Sequence, residues 1–250
     1  VLGTLVEQCG GDYRINPLVP DDFVQILNAV RNAVGGDSHA VIISAGSSAG
    51  SEDYTAAVIR ELGEVLVHGV TMMPGKPTVL GIVDNIPVMG NPGYPVSAII
   101  AFEQFIRPMI YRMLGTVAPE RVKVKARTAR KMASKLGVDE FVRVKLGMVH
   151  DTIVASPLPR GAGSVTTLTE ADGIITIPSH VEGIQSGETT DVQLLRDLEH
   201  IKNTVVVVGS HDNTLDLLAN QMQVRDCRFG LSSSNVGSLG AVSYTHLRAH

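Results

Sequence analysis

The chain has 250 residues, of which 44% are hydrophobic and 18% charged, with a formal net charge of −4. A pI near 6.1 and a mean hydropathy of +0.17 provide no basic field to neutralise nucleic-acid phosphates, so a small ligand is expected and nucleic acid is not. Two cysteines, Cys9 and Cys227, stand far apart and beside no His or Cys cluster, which argues against disulfides or zinc and for a reducing cytoplasm.

No apolar run nears the roughly 18 residues of a membrane span. Val1 opens directly into a helical pattern (Leu2, Leu5, Val6, Cys9), as though the chain began inside a domain. Tyr13 to Val19 is expected as a short strand. Asp21 and Asp22 then start a helix in which Phe23, Ile26, Leu27, Val30, Ala33 and Val34 recur at helical spacing. Ala40 to Ser44 has three consecutive apolar residues, the mark of a buried strand. Strands are also expected over Val65 to Val70, Thr78 to Val83 and Ile86 to Met89, with Asp84-Asn85 as a tight turn. A long helix follows from Val96 to Leu114, which Pro108 should bend. This order describes an α/β fold with an open, mostly parallel sheet and its ligand at the strand carboxyl ends.

From Pro119 the periodicity changes. Val122 and Val124, Phe141 to Leu146, Ile153 and Val154, Ile174 to Ile177, and Val192 and Leu194 mark short strands between glycine and proline turns, as in a small β-barrel. The basic run Arg121, Lys123, Lys125, Arg127, Arg130 and Lys131 alternates like the solvent face of a strand. His150, His180 and His200 have no partner at metal-ligand spacing and are expected in loops or at the surface. A third unit starts near Asn203, with Thr204 to Gly209 as a strand and Leu215 to Met222 as a helix. One strand and one helix cannot close a sheet, so residues beyond about Met222 are expected to lack fixed structure.

Three loops carry the candidate chemistry. In the first, SAGSSAGSEDYT from Ser44 to Thr55, Gly46 and Gly50 permit sharp turns, and Ser44, Ser47, Ser48 and Ser51 offer donors suited to a phosphate ahead of a helix. Glu52 and Asp53 add hard carboxylate oxygens, the donors magnesium prefers beside phosphate. The same composition also suits an ordinary turn and helix start. In the second, MMPGKP from Met72 to Pro77, Lys76 sits on a backbone-restrained turn between Gly75 and Pro77, where an anion contact and a solvated lysine are both open readings. The third, NPGYPVSA from Asn91 to Ala98, contributes Pro92, Gly93 and Ser97 ahead of a second helix.

In order, these loops resemble the SGGVSVGxxDYT, KPGKP and LPGNPVSA motifs of molybdopterin molybdenumtransferases, the MoeA-type enzymes. PLPRGAGSVTTLTEADGIITIP from Pro157 to Pro178 is similar to that family's C-terminal barrel, so the likeness covers about four-fifths of the chain. The resemblance implies a MoaB/MogA-like three-layer domain over residues 1–116, a barrel over 117–198, and a truncated α/β unit over 202–241 similar to the start of a periplasmic-binding-protein-like domain. Residues 242–250 resemble a non-native tail of translated adapter sequence. The implied activity is magnesium-dependent insertion of molybdate into adenylylated molybdopterin with release of AMP, in a cytoplasmic homodimer. Asp53 is then the magnesium carboxylate, with Glu52 beside it, and Lys76 the anion contact. Gly46, Ser47, Ser48 and Gly50, with Ser44, Ser51, Gly75, Pro77, Pro92, Gly93 and Ser97, line the substrate. Met73 stands where the motif has its first lysine, and Tyr94 where it has asparagine. The family's upstream GDE and DSN segments are absent, which predicts a fragment inactive alone. Two other readings are a molybdopterin adenylyltransferase, against which the barrel argues, and a non-catalytic ligand sensor on the same scaffold.

Overall fold

The computed structural model describes residues 1–45, 54–161, 165–202, 204–209, 213–223 and 228–233. They divide into two compact units, Val1–Pro119 and Glu120–His250.

The first unit begins with α1 (Leu2–Gln8) and α2 (Phe23–Val34). Asp22 caps α2 by accepting from the Gln25 backbone N–H at 2.9 Å, which satisfies one of the donors a helix start leaves open. The strand expected over Tyr13 to Val19 is not formed; this stretch is irregular. Pro17 and Pro20 lack the N–H a ladder needs, which accounts for the difference.

The sheet contains β1 (Val41–Ala45), β2 (Glu64–His68), β4 (Val79–Val83) and β5 (Ile86–Pro92), in the order β1-β5-β4-β2. A two-residue extended piece, β3 (Met72–Met73), comes between β2 and β4 along the chain and is not part of this sheet. The α/β class expected from the sequence is present, and the sheet is mixed. Strand β1 runs parallel to β5, whereas β4 is antiparallel to both β5 and β2. The antiparallel β4–β5 pair follows from the two-residue turn, because Asp84 and Asn85 take φ of 48° and 63°, the left-handed pair that matches strand twist. β1 lies at the end of the strand order, and Val41, Ile42 and Ile43 are half-buried rather than fully buried.

One face of this sheet packs on α2 and α3 (Tyr54–Leu62) through Val30, Val34, Ala56, Val58, Ile59, Val79, Val83 and Val88. The rings of Phe23 and Tyr54 meet edge to face, 6.3 Å between centroids. After β5, α4 (Pro95–Ala101) leads through a π turn (Phe102–Ile106) into α5 (Arg107–Met113). Pro108 thus stands in the first turn of α5, directly after the wider turn, where its missing N–H is least costly.

The second unit contains β6 (Lys123–Thr128), β7 (Met132–Ala133), β8 (Asp139–Val149), β9 (Thr152–Pro157), α6 (Val165–Glu170), β10 (Gly173–Ile177), β11 (Gly183–Ile184), β12 (Thr189–Leu194) and α7 (Leu198–Lys202). Strands β10-β12-β6-β9-β8 pair in that order, and β8 pairs back to β10, so the five close into a barrel. Inside it Val144, Leu146, Ala155, Ile175, Ile177 and Val192 have no exposed surface. Along β6 the basic residues Lys123, Lys125 and Arg127 are exposed while Ala126 and Thr128 are buried, as the alternation predicts.

His200 departs from the expected surface position. It is largely buried on α7, with Nε2 3.8 Å from Asp172 Oδ1. Asp172 is fully buried; its Oδ2 accepts from the Leu146 N–H at 3.0 Å, and Lys145 Nζ and Arg196 Nε lie 3.2 and 3.4 Å from Oδ1. A buried carboxylate is tolerated because these donors replace its water.

The stretch expected to start a third unit falls within the second compact unit and holds more than one strand and one helix. β13 (Thr204–Gly209) is followed by α8 (Asn213–Gln223) and by β14 (Arg228–Ser233), which pairs with β13 in parallel from Thr204↔Arg228 to Gly209↔Ser233. This is a β-α-β unit. Residues 242–250 lie outside the described residues.

Candidate functional site

Sheet register places the start of the first loop and the other two loops at one end of the first unit. Ser44 and Ala45, the last residues of β1, pair with Asn91 and Pro92, the last of β5. On the other side of β5, Gly90 pairs with Val79, the first residue of β4, and Val79 in turn with His68, the last of β2. The Ser44 loop therefore leaves the sheet, the Met72–Pro77 loop enters it, and the Asn91–Ala98 loop turns away from it, all at the same end. Carboxyl ends of strands beside a helix start are where α/β sheets commonly seat ligands.

The second loop is braced by its own backbone. Gly69 N–H donates to Thr78 O at 2.9 Å, Val70 N–H to Lys76 O at 2.9 Å, and both the N–H and the Oγ1 of the buried Thr78 donate to Gly75 O, at 3.2 and 2.8 Å. Gly75 takes φ +117°, which L side chains rarely adopt, and a Cβ there would stand 2.3 Å from Met72 Cε. The Met73–Pro74 peptide is cis. Lys76 is exposed and has no ion-pair partner among the described residues, Pro77 is half-buried, and Met73 is 40% exposed. A fixed backbone under a free ammonium can offer charge to an incoming anion at little cost in backbone order.

In the third loop Pro92 is buried and Gly93 exposed. Tyr94 is 53% exposed and occupies the N-cap of α4 without a side-chain cap. Ser97 is buried within the first turn. Gly90 at the end of β5 is required by packing, because a Cβ would lie 2.6 Å from Thr55 Cγ2 and 3.2 Å from Val79 Cβ. Thr55 and α3, which follow the first loop, can thus approach the sheet closely.

Of the candidate residues, Ser44, Gly75, Lys76, Pro77, Pro92, Gly93 and Ser97 lie at this sheet end. Gly46, Ser47, Ser48, Gly50, Ser51, Glu52 and Asp53 fall outside the described residues. Among the described residues no three His, Cys, Asp or Glu side chains cluster as a metal site. Sequence reasoning passed over Asn91. It is fully buried, and neither Oδ1 nor Nδ2 has a hydrogen-bond partner among the described residues. Its signal was present: a carboxamide at the end of the apolar run Ile86–Gly90, where the LPGNPVSA pattern has leucine.

Residues 1–112 match the family described as "probable molybdopterin binding domain", and residues 125–195 match the MoeA C-terminal region, domain IV. The chain thus joins, in one sequence, a segment similar to the probable molybdopterin binding domain and a segment similar to the MoeA C-terminal region. A Methanocaldococcus jannaschii protein named for molybdopterin biosynthesis is 38% identical over 192 residues, which are 77% of this chain and 45% of that one. Molybdopterin molybdenumtransferase 1 of Mycobacterium tuberculosis is 34% identical over 163 residues, 62% of this chain and 38% of its own length. The crystal structure of a molybdopterin biosynthesis MoeA protein from Pyrococcus horikosii aligns with TM-score 0.65 and 35% identity over 78% of this chain and 47% of that one. The chain spans less than half the length of each of these relatives. No helix among the described residues is long and apolar enough to cross a membrane.

Proposed function

We propose that the chain carries the substrate-binding α/β domain and the barrel of a transferase that inserts molybdate into adenylylated molybdopterin and releases AMP. The observation that carries this reading is the register that collects three motif loops at one sheet end (Ser44↔Asn91, Val79↔Gly90), within a domain matched to molybdopterin binding. In this reading Lys76 attracts an anionic group of the substrate, and Gly46, Ser47, Ser48, Gly50 and Ser51 supply backbone and hydroxyl donors to the pterin phosphate. Gly75 and Pro77 fix the Lys76 turn, while Pro92, Gly93 and Ser97 shape the opposite wall.

The donor chemistry of Glu52 and Asp53 fits magnesium, because adjacent hard carboxylate oxygens beside phosphate-binding donors are its preferred setting. Bound there, the ion would offset charge on the phosphoanhydride as AMP leaves. Homodimerisation, a cytoplasmic setting and inactivity of this chain by itself belong to the same proposal. The β-α-β unit over Thr204 to Ser233 is consistent with a further α/β domain of the periplasmic-binding type.

A full-length parent supplied with adenylylated molybdopterin, molybdate and magnesium should release AMP, and Asp53→Asn should lower that rate by about 100-fold or more while pterin binding persists. Unchanged turnover in the variant removes the magnesium assignment; absence of AMP release by the parent, with pterin still bound, favours the ligand-sensor reading. Met73, exposed where the motif has a lysine, is the residue that speaks for that second reading.

A further inference from the structure

A buried carboxamide with neither atom paired is unusual, because each unmet buried polar group costs stability. Asn91 is such a group, with 0% exposure and both Oδ1 and Nδ2 unpartnered among the described residues. It is the last but one residue of β5, opposite Ser44 of β1 and directly before the Pro92-Gly93 turn. Side chains alternate along the strand, and the Cβ direction of Gly90 meets Thr55 of α3. Asn91 therefore belongs to the opposite face of the sheet, the one on which Met89 is also buried. The LPGNPVSA pattern places an apolar leucine here, so packing alone does not require an amide. The amide also does not replace the one lost at Tyr94, which is exposed on the helix cap.

We propose that Asn91 is a specificity-determining residue of the ligand site, whose carboxamide pairs its N–H and C=O with the lactam edge of a pterin ring. The inference rests on the reading of this sheet end as a pterin site. A carboxamide offers one donor face and one acceptor face side by side, and a pterin lactam presents the complementary N–H and C=O. Among the described residues the group is covered and its capacity unused, and a ligand that reaches it would supply both partners. A site that must satisfy a fixed donor–acceptor pair discriminates more sharply than an apolar wall of the same size.

Asn91→Leu tests this, since it restores the residue of the family pattern and removes the unmet polar atoms. The chain has no tryptophan, so the fluorescence of a bound pterin can be followed without interference. With 6-hydroxymethylpterin monophosphate as the probe, wild type should bind, and Asn91→Leu should weaken the affinity about 10- to 100-fold while its Tm stays level or rises. Equal affinity of the two proteins overturns the inference and leaves the pterin site intact. A fall in Tm of several degrees in Asn91→Leu also overturns it, by showing that the amide serves the fold. Failure of wild type to bind any pterin probe overturns the reading of the site, and the inference with it.

Discussion

The closed barrel and the open sheet each bury a polar side chain completely, and the two differ in how that side chain is met. In the barrel, strands pair all the way round, and the fully buried carboxylate of Asp172 is met by a backbone N–H and by Lys145 and Arg196, with His200 Nε2 at 3.8 Å. At the loop end of the sheet, among the described residues, Lys76 is exposed without an ion pair and the buried Asn91 has neither polar atom paired. Asp172 has used its hydrogen-bonding capacity for stability, and Asn91 has not. Retained capacity costs stability and is kept where a ligand recovers the cost.

This contrast can be broken by substitution, and the largest effect is expected in the barrel. Asp172→Ala leaves Lys145, Arg196 and the Leu146 N–H without their carboxylate, and should cost about 3–5 kcal/mol. Denaturant unfolding measures it, with hydrogen exchange showing lost protection in β8 and β10. A loss below about 1 kcal/mol would mean that the network is not a structural plug. Next, Gly90→Ala places a Cβ 2.6 Å from Thr55 Cγ2 in a packed layer. A cost of about 1–3 kcal/mol is expected, with protection lost in α3 and β5.

A smaller effect is expected at Met73, where Met73→Lys adds a second cation to the braced turn. Molybdate should then bind up to about tenfold tighter, as measured by calorimetry. No change assigns that turn another task. The smallest effect concerns the exposed pair of Arg14 and Asp37, whose two contacts measure 2.6 and 2.7 Å. The hydrogen bond and charge of Arg14 lower the Asp37 pKa from its ordinary value. Its contribution is therefore present above the unfolded-state value and is lost as pH falls through the lower folded value. Arg14→Gln should remove this acid-end difference and leave neutral-pH unfolding nearly unchanged.

Much of this was readable from residues alone. α2 emerged from the spacing of Phe23, Ile26, Val30 and Val34, and the barrel strands from alternation such as that of Lys123 to Thr128, because periodicity reports which face is wet. What periodicity cannot report is a strand's place in its sheet. The three apolar residues of β1 read as fully buried, yet the strand lies at the end of the order and is half-buried. Pro17 and Pro20 outweighed the apolar content of Tyr13 to Val19, and the β14 partner of β13 lay beyond any single-strand signal. In the site, the loops were found by motif, while the collection of Lys76 with Asn91 and Ser44 depends on the antiparallel β4–β5 register. Asn91 was overlooked because one polar residue beside an apolar run resembles a loop start.

The most direct test of the account is hydrogen exchange of the chain with and without 6-hydroxymethylpterin monophosphate. Ligand protection should rise together in residues 44–55, 72–78 and 91–98, three stretches distant in sequence that the sheet register brings to one end. Protection confined to one of these stretches, or found in none of them, would contradict a single site built from all three.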